Sequence, residues 1–249
     1  MIEKSKILKS NSEDQFINLE NKLADIRDRV RSTSEKEAQD RELEGRLEIL
    51  SQNKILPLAT ICSESDARNI TTKLIEAQCP ILEITLRDER VRSILHIFQE
   101  YSGLTVGLGT IRSNEDIDLA INNKLAFGIT PGFSPKLCGY AQSKDFLIIP
   151  GIQSASEIMQ ASEMGYSILK FFPAELSGGA KKLKALQSVF PDISFIPTGG
   201  VNKDNLKSYL ELENVICAGS SDFVSKDMLA RGEWEDMVLN IQNIKKDLI

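Results

Sequence analysis

From about Leu47 onward, short apolar runs alternate with segments whose apolar residues recur at helical spacing. The runs Ile55–Cys62, Ile81–Leu86, Leu104–Leu108, Leu125–Ile129, Phe146–Ile149, Ile168–Phe171, Ile193–Ile196 and Val215–Ala218 read as strands. They are nearly continuous in apolar character rather than alternating, as expected of parallel strands buried on both faces. Between them, Ser65–Ala77, Glu89–Tyr101, Ser113–Ile121, Ser154–Met164 and Asn202–Tyr209 read as helices, most opening on a residue able to cap. Eight repeats of strand and helix predict an α/β fold over residues 46–249, a closed (β/α)8 TIM barrel, with a doubly wound open sheet as the alternative.

Residues 1–45 follow a different pattern, charged and free of glycine until Gly45. Phe16, Leu19, Leu23, Ile26 and Val30 are spaced by 3, 4, 3 and 4, the seam of a short helical heptad pattern. Asp25 and Arg29 add a helical i,i+4 pair before the pattern dissolves after Arg31. A helical N-terminal extension is predicted. Its apolar stripe serves either as a seam between chains or as a helix laid on its own domain.

Composition narrows the function. The 249 residues are 41% hydrophobic and 27% charged, a globular profile. No apolar run approaches the roughly 20 residues that a membrane-spanning helix needs. The net charge is −6 and no basic stripe is visible, so nucleic acid is not an expected partner. The N-terminus has no apolar stretch of a secretory leader, which points to the cytoplasm. Cys62, Cys79, Cys138 and Cys217 are scattered without a C-x-x-C pair, so they read as buried thiols, and no metal is expected.

In such a barrel, chemistry gathers at the C-terminal ends of the strands and in the loops that follow. The second run carries Glu83, Thr85 and Arg87 on one face by the period of two. The third ends in Gly107-Leu-Gly-Thr110, the fourth in Thr130-Pro-Gly132 and the fifth in Pro150-Gly151. The sixth places Lys170 inside an otherwise apolar strand, which is the sharpest signal in the chain. An unpaired ammonium costs several kcal/mol to bury, whereas a neutral amine is what attack on a carbonyl requires. Lys170 is either such a nucleophile or a lysine held statically by Glu83. Glu83 in turn either balances charge or moves protons. Thr198-Gly-Gly200 and Gly219-Ser-Ser221 place turns after the last two strands, where these barrels commonly bind phosphate. His96 falls in a helical segment and is assigned no chemistry.

Taken together, Leu82-Glu-Ile-Thr-Leu-Arg87, Gly107-Leu-Gly-Thr110, Thr130-Pro-Gly132, Ile149-Pro-Gly-Ile152, Lys170-Phe-Phe-Pro-Ala-Glu175 and Pro197-Thr-Gly-Gly200 resemble the bacterial KDPG/KHG aldolase family. Such enzymes cleave 2-keto-3-deoxy-6-phosphogluconate (KDPG) or 4-hydroxy-2-oxoglutarate (KHG). The likeness runs from about Leu47 to the C-terminus, with the motifs in order. It implies a class I aldolase, a carbon–carbon lyase working without cofactor or metal, in which Lys170 forms a Schiff base and Glu83 shuttles protons through a water. It further implies that Arg87 and Thr110 hold the pyruvyl carboxylate while Pro131 and Phe172 pack on the pyruvyl group. Thr198, Gly199, Gly200, Gly219 and Ser221 would line the far end, where a phosphate lies. A homotrimer that releases pyruvate from a 2-keto acid is implied as well.

Two departures qualify the resemblance. Asp222 stands where the family commonly has an apolar residue, and it is expected to cap the following helix rather than face a phosphate. The extension has no counterpart in shorter relatives. Two other readings stay open at this point: a phosphate-binding barrel isomerase or epimerase, and a non-catalytic trimeric scaffold.

Overall fold

The computed structural model describes Gly45 and residues 48–248. The seam expected at Phe16, Leu19, Leu23, Ile26 and Val30 lies outside the described residues. Residues 48–53 are helical and lead into β1 (Ile55–Ala59) through Lys54, whose φ of 58° turns the chain. The strands β2 (Ile81–Thr85), β3 (Thr105–Gly109), β4 (Phe127–Ile129) and β5 (Ile148–Ile149) follow in turn. After Pro150 come β6 (Gly151–Ile152), β7 (Ile168–Phe171), β8 (Ser194–Pro197) and β9 (Ala218–Ser220).

Six of these strands form one sheet in the order β5-β4-β3-β2-β1-β9, and β6-β7-β8 form another. Every ladder between them is parallel. Pro150 divides β5 from β6 because it has no N–H to give the ladder, yet its carbonyl still accepts from Lys170 N at 2.9 Å. Isolated parallel bridges join Phe195 to Val215 and Thr198 to Gly219. The result is an α/β fold with a curled parallel sheet. β1, β2, β4, β5, β6 and β9 are buried along their whole length, which is why their sequences carry no alternation.

The helices are α1 (Glu64–Glu76), α2 (Val91–Ile94), α3 (Asn114–Asn122), α4 (Pro135–Ser143), α5 (Ala155–Glu163), α6 (Gly179–Gln187), α7 (Leu206–Leu210), α8 (Lys226–Arg231) and α9 (Trp234–Lys246). Serine sets most of the starts: Ser63, Ser113, Ser134, Ser154 and Ser225 each accept a backbone N–H from the first turn. At Ser113 and Ser154, Asp116 and Glu157 return the bond to the cap residue and complete a capping box.

Several boundaries differ from expectation, some by only a residue or two. β1 stops at Ala59 rather than Cys62. The segment expected as one helix over Glu89–Tyr101 is a short α2 followed by a 3₁₀ turn over Leu95–Glu100. The last strand, expected at Val215–Ala218, is shifted to Ala218–Ser220, because the ladder with β1 begins only at the Ile55–Ala218 pair.

β3 carries Gly107 because the neighbouring strand needs the space. A Cβ there would overlap the ring of Phe127, which is fully buried. Gly107→Ala is expected to cost about 1–3 kcal/mol through overpacking, read as a lower urea midpoint at unchanged slope. A variant as stable as the parent would show that the Phe127 ring shifts freely.

Candidate active site

The second and seventh strands supply the centre of the site. Lys170 is the third residue of β7, flanked by fully buried Leu169 and Phe171, and only 5% of its own surface is exposed. Glu83 is the middle residue of β2 and is 0% exposed. Although 87 positions apart in the chain, the two side chains meet: Lys170 Nζ donates to Glu83 Oε1 at 3.2 Å. The two ionisable groups that the apolar strand pattern singled out are thus brought together. The other carboxylate oxygen, Glu83 Oε2, is buried with no hydrogen-bond partner among the described residues, so it is open to a ligand or a water. Lys170 Nζ also sits 5.3 Å from the centre of the Phe172 ring.

Gly109 makes this arrangement possible. A Cβ at that position would overlap Glu83 Oε1, so the carboxylate occupies the space a side chain on β3 would fill. The third strand, expected to stop at Leu108, includes Gly109, which leaves room for the carboxylate within the sheet.

Around the pair, the other predicted residues take distinct places. Arg87 lies just beyond β2, exposed, and its guanidinium has no hydrogen-bond or ion-pair partner among the described residues. Its donor fork is free for an anion. Thr110 is half-buried and has a φ of 64°, the left-handed region that a β-branched residue rarely enters. Such backbone strain persists only where surrounding structure enforces it, and it clusters at functional sites. Pro131 and Phe172 are half-buried, with Pro131 backed by the loop in which Thr130 Oγ1 donates to Gly132 O at 2.8 Å and accepts from Gly151 N at 3.0 Å.

At the other end, Thr198 is buried and its hydroxyl crowds Gly219, where an added Cβ would lie 2.6 Å from Thr198 Oγ1. Gly199 and Gly200 adopt φ of 95° and 82°, backbone that favours glycine. A Cβ at Gly199 would sit 3.2 Å from the Phe172 ring, which links this loop to the wall beside Lys170. Ser221 is exposed after β9.

Asp222 does not do what was expected of it. The cap of α8 is Ser225, whose hydroxyl accepts from Met228 N at 3.1 Å. With β9 starting later, the helix cap falls three residues beyond Asp222. Its backbone N–H donates to Ser220 Oγ at 3.0 Å, and its exposed carboxylate has no partner among the described residues.

Three polar ties escaped the sequence reading. Thr60 and Thr85 share a hydroxyl–hydroxyl bond of 2.7 Å beside Glu83's strand. Ser220 Oγ also donates to Val201 O, joining the end of β9 to the loop after β8. Tyr209 on α7 donates to Glu175 Oε1, and burial, followed by that carboxylate, pushes the phenol above its ordinary range. Hydroxyls and a tyrosine on a short helix give no periodic signal, so only the presence of Glu175 within a quoted motif hinted at the last.

Known proteins resemble this chain over most of its length. The family model for KDPG and KHG aldolase matches residues 47–240. Over 182 residues the chain is 39% identical to the 2-dehydro-3-deoxy-phosphogluconate aldolase of Pseudomonas aeruginosa, covering 73% of this chain and 83% of that one. It is 33% identical over 188 residues to the KHG/KDPG aldolase of Escherichia coli K12, covering 75% and 88%. Among solved structures, it is similar to the KDPG aldolase of Legionella pneumophila with pyruvate captured as a covalent carbinolamine intermediate. That match has a TM-score of 0.77 and 30% identity, over 80% of this chain and 97% of the other. The KDPG aldolase of Zymomonas mobilis ZM4 with 3-phosphoglycerate matches with a TM-score of 0.72 and 28% identity, over 79% and 93%.

Gly109→Ala is expected to displace the Glu83 carboxylate and reproduce the defect of Glu83→Gln, roughly 10²–10⁴-fold in turnover, if the carboxylate transfers protons. Steady-state rates of pyruvate release from both variants check this. Normal turnover by Glu83→Gln would reduce Glu83 to a counter-charge.

Proposed function

The chain belongs to the KDPG and KHG aldolase family, and from that premise we propose which of its residues carry out the cleavage and how. It is a class I aldolase, an aldehyde-lyase that splits a 2-keto-4-hydroxy acid, KDPG among them, into pyruvate and an aldehyde through a lysine Schiff base. The observation that carries the assignment is the buried contact of Lys170 Nζ and Glu83 Oε1 at 3.2 Å. Its charges and its depth in an apolar interior speak against a vestigial scaffold, because burying an ion pair gains little stability over a well-packed apolar pair.

Lys170 passes a proton to Glu83 and, as the neutral amine, attacks the C2 carbonyl of the substrate. Glu83 returns that proton to the departing hydroxyl, so that loss of water from the carbinolamine gives a protonated imine and leaves Glu83 ionised. Glu83 then takes the proton of the C4 hydroxyl, directly or through a water at its free Oε2. The C3–C4 bond breaks, and its electron pair moves into the imine to leave an enamine. The aldehyde departs, C3 is reprotonated, and hydrolysis releases pyruvate and restores the amine. Arg87 and Thr110 hold the carboxylate, with the free guanidinium as the bidentate donor. Pro131 and Phe172 pack on the pyruvyl group. Thr198, Gly199, Gly200, Gly219 and Ser221 receive the distal part of the substrate.

Closure of the strands into a full (β/α)8 barrel belongs to the same proposal. The bridges from Phe195 to Val215 and from Thr198 to Gly219, together with the near-continuity of β5 and β6 across Pro150, support it. So does the reach of Lys170 on β7 to Glu83 on β2. We extend the proposal to a cytoplasmic homotrimer in which residues 46–249 are the aldolase domain. No helix among the described residues is long and apolar enough to cross a membrane.

Borohydride added with pyruvate is expected to inactivate the enzyme and leave a three-carbon adduct on Lys170. An unmodified Lys170, or full activity in Lys170→Ala, would overturn the mechanism. Asp222 sets the second expectation. Its free carboxylate beside the distal loops opposes a dianionic phosphate by about 1 kcal/mol at 4–6 Å in a solvated setting, a factor of about five. Asp222→Asn is therefore expected to lower the KM for KDPG several-fold and leave that for KHG unchanged. An equal KM for KDPG in both proteins would place the carboxylate too far from the phosphate to matter.

A further inference from the structure

One contact, between exposed Glu175 and buried Tyr209, lies outside the machinery described above. The segment that carries Lys170 continues through Phe172-Pro173-Ala174 to Glu175, and there it is stitched to the loop after β8. Ala174 N donates to Thr198 O at 2.8 Å and Glu175 N to Gly199 O at 3.1 Å. The Glu175 side chain then lies over Gly200, close enough that an added Cβ there would come within 2.6 Å of Glu175 Cγ. Its carboxylate ends on the hydroxyl of Tyr209, a fully buried residue of α7.

From this geometry we infer that Glu175, anchored by Tyr209, is a positioning residue that holds the Gly199-Gly200 loop at a fixed distance from Lys170. It thereby tunes affinity for substrates with an anionic distal group. The inference rests on the functional reading above, in which that loop receives the distal end. Glu175 touches no reacting atom in that reading. It acts on the loop in three ways: a backbone bond to Gly199, a methylene stem packed on Gly200, and a carboxylate tied to a helix that cannot move without exposing Tyr209. Gly199 and Gly200, both in left-handed backbone, need such a clamp because glycine keeps the most freedom of any residue when unconstrained. A loop fixed in advance does not have to be ordered by the substrate, so the clamp appears in binding. The carbon–carbon cleavage takes place at the other end and does not feel it.

The test compares Glu175→Ala, Glu175→Gln and Tyr209→Phe with the parent enzyme on KDPG and on unphosphorylated KHG. Glu175→Ala is expected to raise the KM for KDPG roughly tenfold, with kcat on both substrates and the KM for KHG within about twofold. Glu175→Gln, which keeps the stem and an acceptor for the phenol, is expected to restore the KM for KDPG to within about threefold of the parent. Tyr209→Phe is expected to fall between them. Hydrogen exchange at the Ala174 and Glu175 amides is to be measured in the same proteins and is expected to quicken in Glu175→Ala. A rise in KM shared equally by both substrates, or amide exchange unchanged in Glu175→Ala, overturns the inference. Failure of the functional reading looks different: the parent enzyme would leave KDPG uncleaved or Lys170 without adduct, and amide exchange alone would then decide for or against the clamp.

Discussion

A buried lysine facing a buried glutamate is the constraint around which the rest of the chain is organised. Taking two charges out of water costs several kcal/mol for each, and their attraction repays that only with good geometry. Every nearby choice serves that geometry. Leu169 and Phe171 on β7, and Leu82 and Ile84 on β2, bury their side chains fully and keep bulk solvent from the strands on which the pair stands. Gly109 vacates the volume that the carboxylate needs. Removing one partner strands the other as an uncompensated charge, typically a loss of about 3–5 kcal/mol. In the proposed mechanism, chemistry and stability are thus coupled at one pair, whose Glu83 Oε2 is buried without a partner among the described residues.

Small residues shape the site by subtraction. Gly109 gives room to Glu83, Gly219 to the Thr198 hydroxyl and Gly200 to the stem of Glu175. In each place a missing Cβ lets a polar side chain from a neighbouring strand or loop approach closer than ordinary packing allows. Thr110 shows the opposite device. A β-branched residue at φ 64° stores strain, and its hydroxyl has no partner among the described residues to repay it.

Much of this was legible in the sequence because parallel strands buried on both faces print themselves as apolar runs, and a lysine or glutamate inside such a run has few structural excuses. Lys170 and Glu83 were found that way, and their meeting is a consequence of topology that spacing alone does not contain. Helices that open on glycine or carry glycine within them were hard to see. α4 holds Pro135 and Gly139, and α6 begins at Gly179 with no capping side chain. The C-terminal strand was misplaced because Ala218-Gly-Ser220 reads as a turn in isolation, although pairing with β1 makes it a strand. The wrong role for Asp222 followed from that shift, since a cap is defined by where the helix begins. Ser225, three residues on, has the same capping chemistry and the right position.

The two ends of the site are held by different physics, yet one stretch of chain serves both. Lys170 is fixed by a buried ion pair, which is strong where water is excluded. The Gly199-Gly200 loop stands nearer the surface, where an exposed ion pair would be worth little, and it is fixed by backbone hydrogen bonds and by a carboxylate against a buried phenol. Between them, Phe172 stands beside Lys170 on one side and Gly199 on the other. In the mechanism and clamp proposed above, Lys170-Phe-Phe-Pro-Ala-Glu175 therefore carries the nucleophile, a wall and a clamp within six consecutive residues. A segment that shifts as one body would, in that mechanism, keep the span from imine to distal group constant. That is a physical reason for such unlike residues to be contiguous.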